Sequence, residues 1–320
     1  MTQIQNVLLP IDFSQPSKKA FRYALALVVQ FRARLVIAHV VPSLTAFDYG
    51  TRERTQELES MAIASAKKSL QEIIPADYRD RVHFTPMTVV GDVREELLRI
   101  IHDEKIDFVV MGTHGRRNIE RFFLGSTTEH MLRKVSVPVL TVSRISPDHE
   151  ALTTGPMPIR RIVYAADLSE GVETGLRYAA ELARNFCAEL ILLHVIDPLE
   201  AGQWGIDAPG SLPFDLSAIQ AMACERLQQA IQKTGCSNIR TSVFVDEGIP
   251  HNTIIRFADD MKADLLILSL RHKSLLERVM LGKTAERVIR ASHIPVLSIP
   301  LATGLSFIET AIAATMETHR

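Results

Sequence analysis

The 320-residue sequence contains only three cysteines, one tryptophan and 15 glycines, and it has almost no net charge. Cys187, Cys224 and Cys236 are odd in number and lack C-x-x-C spacing, so they indicate neither a disulfide framework nor a zinc site. A net charge of −1 gives no attraction to nucleic acid or to an anionic membrane. These scarcities exclude the disulfide-rich, zinc-finger and nucleic-acid-binding classes.

Long apolar runs are missing as well. The first residues, MTQIQNVLLPIDFS, have no basic segment and reach Asp12 after a five-residue apolar run, which does not fit a signal peptide. No stretch approaches the roughly 18 to 20 apolar residues of a membrane-spanning helix. We therefore expect a cytoplasmic protein without a membrane span.

The feature that stands out is an internal repeat. Residues 6–43 align without gaps on residues 161–198, which lie 155 residues later. Residues 124–132, LGSTTEHML, likewise match residues 281–289, LGKTAERVI, which lie 157 residues later. Because a missed repeat leads to the wrong fold, this observation governs the rest of the interpretation.

The stretch between the two copies, residues 144–158, is rich in Pro, Ser, Thr and Gly, which is typical of a linker. We expect one domain at 1–143 and a second at 159–300. After Pro300, an apolar stripe at helical spacing predicts a tail helix at 301–320 that docks on the body or on another chain.

Within the first copy, short apolar runs alternate with stretches of helical periodicity. Five strands are predicted, at 7–11, 35–41, 83–90, 108–111 and 137–142. Four helices are predicted between them, at 17–31, 55–73, 93–104 and 127–134. Strands that are apolar throughout indicate a parallel sheet covered on both faces. The fold class is α/β: two tandem, doubly wound, five-stranded domains of strand order 3-2-1-4-5, flavodoxin- or Rossmann-like.

Three of the 15 glycines fall within fourteen positions, directly after the fourth predicted strand: Gly112, Gly115 and Gly125. In this topology ligands bind beyond the carboxyl ends of the first and fourth strands, and Asp12 follows the first strand. Glycine allows a ligand to approach backbone N–H groups, and Ser126 and Thr127 open a helix whose N-terminus attracts phosphate. The stretch therefore predicts a polyphosphate site.

Two alternatives remain at this point. The glycines can be turn residues, with Ser126 and Glu129 forming a capping box that binds nothing else. Asp12 can simply help to cap the following helix. Neither the P-loop motif nor G-x-G-x-x-G occurs in the sequence.

The spacing Gly112-x-x-Gly115, nine residues, Gly125-Ser126 resembles the G-2x-G-9x-G-[S/T] ATP-binding signature of the universal stress protein family. Three further segments are also similar to that family: PIDFS at 10–14, His39-Val40 and Val137-Pro138-Val139. The resemblance covers nearly all of 4–143 and, more loosely, 159–300. It is closest to the tandem two-domain form of the family, the UspE type.

The resemblance implies an ATP site in the first domain. Asp12 would contact the adenosine, Val40 would hold adenine through its backbone, and Gly112 and Gly115 would admit the ribose and phosphates. Three residues would hold the phosphates, usually with Mg²⁺ or another divalent ion: Gly125, Ser126 and Thr127. Arg116 and Arg117 either add positive charge there or remain solvated.

The second copy departs from the signature. Ser269, His272 and Lys283 stand where the first copy has Gly112, Gly115 and Ser126, and of the glycines only Gly282 remains. Side chains at the two loop positions, 269 and 272, would fill the space needed for phosphates, so ATP binding is not expected there. Lys283 with His272 leaves a different, anionic ligand open.

A long loop at 197–217 in the second copy holds Trp204 and Phe214. It is read either as a lid over a ligand or as a surface that packs against the other domain.

No catalytic or metal-ligating constellation is found. His114, Glu120 and Asp12 lie near the glycines without a spacing that assigns a nucleophile, a base or a metal site. His39 and His194 are expected to hydrogen-bond at strand ends. In this family domains pair through the fifth strand, which implies an intramolecular pseudo-dimer and leaves a homo-oligomer open.

We expect a non-catalytic, ATP-binding regulatory protein of the stress response. The alternatives are a carrier or sensor of an apolar or anionic ligand through the second domain, and a weak ATPase.

Overall fold

The computed structural model describes residues 4–43, 52–113, 124–146, 159–168, 172–197, 216–272 and 281–302. It divides into two compact units, Met1–Met157 and Pro158–Arg320. Several segments with sequence-based predictions lie outside the described residues: 114–123 with Gly115, Arg116 and His114, most of the linker, the loop with Trp204 and Phe214, and the tail after Ala302.

The first unit has five parallel strands: β1 (Asn6–Pro10), β2 (Arg34–Val41), β3 (Phe84–Val90), β4 (Phe108–Gly112) and β5 (Val139–Val142). The helices that alternate with them are α1 (Gln15–Phe31), α2 (Arg52–Ile73), α3 (Val93–Asp103) and α4 (Ser126–Lys134). The strand order is β3-β2-β1-β4-β5, with every pair parallel. The predicted order 3-2-1-4-5 is therefore confirmed.

The apolar runs predicted these elements most directly in the inner strands, which are covered on both faces, whereas the edge strand β3 is only partly buried. Val7, Leu8 and Leu9 of the central β1 are all fully buried. Helix α1 begins two residues earlier than predicted, because Ser14 caps it and Pro16 occupies its first turn.

The second unit repeats this layout. Its strands are β6 (Arg161–Ala165), β7 (Glu189–Ile196), β8 (Thr241–Glu247), β9 (Leu265–His272) and β10 (Val296–Ala302). Its described helices are α5 (Val172–Phe186), α6 (Leu216–Thr234), α7 (Pro250–Asp260) and α8 (Lys283–Ala291). Within this unit the order is β8-β7-β6-β9-β10, all parallel, so both units are doubly wound and Rossmann-like.

The repeat extends to backbone details that the sequence alignment does not show. Arg32 and Cys187, one after each first helix, both have φ of 53° in the left-handed region. Asp107 Oδ2 accepts hydrogen bonds from the N–H groups of Gln5 (2.9 Å) and Asn6 (3.1 Å), and Asp264 holds the start of β6 in the same way. Burial raises the pKa of the Asp107 carboxyl. These features belong to the fold rather than to one domain's function.

No helix among the described residues is long and apolar enough to cross a bilayer. All three cysteines are free thiols: Cys187 is exposed, Cys224 is intermediate and Cys236 is buried.

The two units differ at the start of the helix that follows the third strand. In α3 the N-cap is Asp92, whose Oδ1 accepts from the N–H groups of Arg94 (2.9 Å) and Glu95 (3.2 Å). The corresponding N-cap of α7 is Ile249, which provides no side-chain hydrogen bond and is 55% exposed. Helix α7 therefore begins without a cap that its counterpart has.

Adding a capping side chain to α7 and removing the one from α3 tests this difference. We expect Ile249→Asp to stabilise the protein by about 1 kcal/mol and Asp92→Ala to destabilise it by a similar amount. Urea denaturation at pH 7 measures both, and an Ile249→Asp variant no more stable than wild type would contradict the assignment.

The effect of Asp92 should also depend on pH. Hydrogen bonds from backbone N–H groups, chiefly that of Glu95, lower the pKa of Asp92. The stabilisation is therefore present above the ordinary carboxyl pKa and is lost as the pH falls through the lowered value. Wild type and Asp92→Ala should accordingly converge in stability in acid.

Candidate functional site

The candidate site lies where the winding of the first sheet reverses. β1 pairs with β2 on one side and with β4 on the other, and all three strands run in the same direction. Their following segments, beginning at Ile11 and at Thr113, therefore leave the sheet at the same edge and diverge to either side of a crevice. This is where the topology predicted a ligand.

Asp12 shapes the turn between β1 and α1. Its Oδ1 accepts hydrogen bonds from the Ser14 N–H (3.0 Å) and the Ser14 hydroxyl (2.6 Å). Ser14 is the N-cap of α1 and accepts from the Ser17 N–H at 3.4 Å. The predicted alternative, that Asp12 supports helix capping, is thus confirmed. A contact from this half-buried carboxylate to adenosine stays a prediction.

The turn is also held from β2. His39 Nδ1 lies 2.6 Å from the carbonyl oxygen of Ile11, and His194 Nδ1 lies 2.9 Å from that of Ala166 in the second unit. Phe13 adopts a left-handed φ of 63°, and its ring centroid lies 5.0 Å from that of His39. The prediction that these histidines hydrogen-bond at strand ends is confirmed.

Val40 presents its backbone to the crevice. The ladder between the first two strands ends with the bond from Ile11 N–H to Ala38 O, at 2.9 Å and two residues before Val40. Since alternate residues of a strand direct their backbone groups to opposite sides, the amide and carbonyl of Val40 face the β1 side, as those of Ala38 do. They are the next β2 backbone groups beyond the end of that ladder, and their contact with adenine stays a prediction.

Gly112 has a reason to be glycine that the sequence did not reveal. A Cβ at Gly112 would lie 2.8 Å from Pro16 Cβ, 2.9 Å from Pro16 C and 3.0 Å from Ser17 N. The missing side chain therefore lets the first turn of α1 pack directly on the end of β4. Its predicted role in admitting the ribose and phosphates remains untested.

The glycine-rich loop is fastened at its base. The Gly125 N–H donates to Thr113 O at 2.8 Å, and the Thr128 hydroxyl donates to Gly112 O at 2.9 Å. The Thr113 N–H donates to Val142 O at 2.9 Å, which ties the same point to β5. Residues 114–123, with Gly115 and Arg116, connect these two fixed ends and lie outside the described residues.

The start of α4 differs from the capping-box alternative. The N-cap is Gly125, with φ −60° and ψ 140°, and it makes no side-chain capping hydrogen bond. Ser126 is the exposed first residue of the helix, and Glu129 pairs with Arg133 at 2.9 Å instead of reaching back. The capping-box alternative is therefore wrong. The first-turn N–H groups of α4, including those of Ser126 and Thr127, have the geometry that suits an anion.

The sequence model of the universal stress protein family matches residues 3–143 and again residues 158–300. The chain belongs to the universal stress protein family. It contains two copies of the family's domain in tandem.

The chain is also similar to individual proteins. Universal stress protein MJ0531 of Methanocaldococcus jannaschii is 31% identical over 138 residues, which is 43% of this chain and 80% of that protein. The crystal structure of a universal stress protein from Archaeoglobus fulgidus matches with a TM-score of 0.65 and 22% identity, over 93% of this chain and 97% of that one. A universal stress protein crystallised with cAMP matches 45% of this chain and 98% of its own, at 22% identity and a TM-score of 0.32.

In the second universal stress protein domain the strand that precedes the counterpart of the glycine loop is longer. Ser269 lies within β9, and His272 is its last residue, so the prediction that both lie at loop positions is wrong. β9 continues three residues beyond Ser269 and stays paired with β10 up to His272 and Ala302. In the first domain, β4 ends at Gly112, the counterpart of Ser269.

The space beneath Ser269 is filled from β6. The Tyr164 hydroxyl lies 3.0 Å from Ser269 Oγ and donates to Val172 O at 3.4 Å. Burial raises the pKa of Tyr164 to about 12, so the phenol remains protonated as a donor. Gly175 of α5 is glycine because a Cβ there would overlap Tyr164 Oη and Ser269 Oγ.

The first domain has Leu9, Gly112 and Ala20 at the positions of Tyr164, Ser269 and Gly175. The three contacting residues of the second domain therefore differ from their first-domain counterparts at every position. This exchange was missed in the sequence because it spans a strand, a helix and a second strand.

Thr128 was missed for a different reason. It lies between predicted site residues, and only its hydrogen bond to Gly112 O reveals that it positions the loop. A signal was present in the repeat, since the second domain has Ala285 there and lacks the counterparts of Gly112 and Gly115.

Among the described residues, no group of three His, Cys, Asp or Glu side chains lies close enough to hold a metal ion.

Proposed function

We propose that the first domain binds ATP in the crevice between β1 and β4 and that the protein is a regulatory, non-catalytic component of the stress response. The observation that carries the proposal is the start of α4, where Gly125 leaves the first turn without a side-chain cap beside the crevice. Such a helix start provides hydrogen-bond donors and the positive end of a dipole for a phosphate.

Each residue predicted from the sequence would have a role in holding this ligand. Asp12 and the backbone of Val40 would orient the nucleoside, while Ser126 and Thr127 would hold phosphate oxygens. Gly115 and Arg116 would complete the phosphate side from within the loop. Any divalent ion would arrive with the nucleotide and would partly neutralise its phosphates.

Nucleotide binding would affect the glycine-rich loop, whose two ends are held by the hydrogen bonds at Thr113 and Gly125. Phosphate contacts would order residues 112–127 and so change the surface that a partner meets. We place this activity in the cytoplasm. The two family domains in one chain are consistent with the intramolecular pseudo-dimer that the sequence predicts.

Calorimetric titration with ATP and Mg²⁺ tests the proposal. We expect one site per chain, and Gly115→Val should weaken binding by about tenfold or more, because a branched side chain would block the approach of phosphate to the backbone. Gly282→Ala is the matched control in the second domain, since a Cβ there meets nothing within 4 Å.

Unchanged affinity in Gly115→Val would contradict the loop assignment, and two equal sites would contradict the difference between the domains. cAMP is titrated in parallel, because a related protein has been crystallised with it.

A second candidate function rests on α8. Its N-cap, Gly282, also makes no side-chain capping bond, and Lys283 follows as the first helical residue. This arrangement favours an anionic ligand other than ATP in the second domain. Native mass spectrometry of the purified chain separates the two functions, since one adenine nucleotide per chain supports the first and a different co-purified anion supports the second. A weak ATPase would instead release phosphate linearly and lose that activity in Gly115→Ala.

A further inference from the structure

A tight turn follows β5, where the linker begins. The Ser143 N–H donates to Ser146 Oγ at 3.2 Å, and the Ser146 N–H donates to Ser143 Oγ at 3.1 Å. The Ser146 N–H also lies 3.2 Å from Ser143 O, and the two hydroxyl oxygens lie 3.0 Å apart. Ser143 and Ser146 are both buried, at 7% and 1% exposure. We refer to residues 143–146 as the linker start.

Helix α1 holds the linker start through one lysine. Lys19 Nζ donates to Arg144 O and to Ser146 O, each at 2.8 Å. Hydrogen bonds from an ammonium group to carbonyl oxygens are stronger than those between neutral groups. The corresponding residue of the second domain is Thr174, so this clamp is not a general feature of the repeated fold.

The same end of α1 forms a wall of the crevice. Asp12 holds the N-cap Ser14, and Pro16 and Ser17 pack on Gly112. Lys19 follows Ser14 by five residues, which is about 7.5 Å along a helix. The first turns of α1 therefore contact both the crevice and the linker start.

We infer that nucleotide bound in the crevice tightens the clamp of Lys19 on the linker start, so that occupancy of the first domain is communicated to the connection between the domains. This inference rests on the proposed function and adds the element that the nucleotide would regulate. A nucleotide that engages Asp12 and the backbone after β4 would favour the arrangement of α1 in which Lys19 reaches both carbonyls.

Limited digestion with trypsin tests the inference on the full chain. Trypsin cleaves after Arg144, an exposed residue whose carbonyl is one of the two that Lys19 holds. Cleavage requires local opening of the turn, so its rate reports how firmly the clamp is closed. We expect Lys19→Met to be cut at this bond about tenfold faster than wild type, and the neighbouring, exposed Lys18→Met to be cut at the wild-type rate. Mass spectrometry of the fragment that ends at Arg144 identifies the cut.

Saturating ATP with Mg²⁺ should slow this cut at least about fivefold in wild type and should not change it in Lys19→Met. Equal rates for Lys19→Met and wild type without nucleotide would overturn the clamp. If calorimetry shows ATP binding but ATP leaves the wild-type rate unchanged, the coupling is overturned while the proposed function stands. If calorimetry shows no ATP binding, the proposed function and its coupling both fail, and the comparison without nucleotide still decides the clamp.

Discussion

Replacing Gly112 with alanine is expected to destabilise the first domain by about 3 kcal/mol. The added Cβ would lie 2.9 Å from the backbone carbon of Pro16 and 3.0 Å from the backbone nitrogen of Ser17. Backbone atoms at the start of a capped helix cannot move aside as the end of a flexible side chain can. The φ of Gly112 lies outside the left-handed region, so the penalty is steric and not conformational.

Denaturation in urea, followed by hydrogen exchange that resolves the amides of β1 from those of β6, measures the loss in each domain. Gly282→Ala makes the same chemical change at an open position and should cost only about 0.5 kcal/mol. Equal losses in the two variants would show that α1 does not pack on the end of β4 as described. We also expect Gly112→Ala to weaken ATP binding, because the turn that holds Asp12 begins the displaced helix.

In the second domain, Gly175→Ala is expected to destabilise the fold by about 2 kcal/mol. Two effects oppose each other. Alanine is favoured over glycine inside a helix by about 1 kcal/mol, whereas forcing a methyl group into occupied space costs up to about 3 kcal/mol. The space here is occupied by the hydroxyls of Tyr164 and Ser269, and Tyr164 is fully buried, so the steric cost prevails.

The sign of this effect should reverse when the obstruction is removed. In a Tyr164→Leu, Ser269→Gly background, which recreates the residue set of the first domain, Gly175→Ala should stabilise by about 1 kcal/mol through helix propensity alone. Comparing Gly175→Ala in the two backgrounds gives the coupling directly. If Gly175→Ala is equally harmful in both, the three residues are not one packing unit.

The sequence predicted the fold because its strongest signals are local or repeated. Apolar runs such as 35–41 and 108–111 define buried parallel strands, and the repeat predicted that the same order would occur twice. The crevice followed from strand order alone, since Asp12 and Gly112 are brought together by topology and not by their spacing in the sequence.

What could not be predicted depends on contacts across elements. The residue types of Ser126 and Glu129 match the capping-box pattern. The N-cap of α4 is nevertheless Gly125, one residue earlier, because hydrogen bonds to Thr113 O and Gly112 O fix the backbone at the start of the helix. Likewise, no residue close to Ser269 in the sequence indicates that the Tyr164 hydroxyl contacts it. The continuation of β9 to His272 depends on pairing with residues of β10. Roles that depend on such contacts are visible only in three dimensions.

The longer β9 and β10 have a consequence for any attempt to build a nucleotide loop into the second domain. Restoring Gly, Gly and Ser at 269, 272 and 283 would not restore a loop there, because three consecutive residue pairs of ladder, ending at Ala302 and His272, would first have to separate. A variant with only some of these substitutions would lose pairing between β9 and β10 before it gained any affinity for phosphate. A phosphate-binding loop in the second domain would therefore require more than the three substitutions that the signature alone suggests.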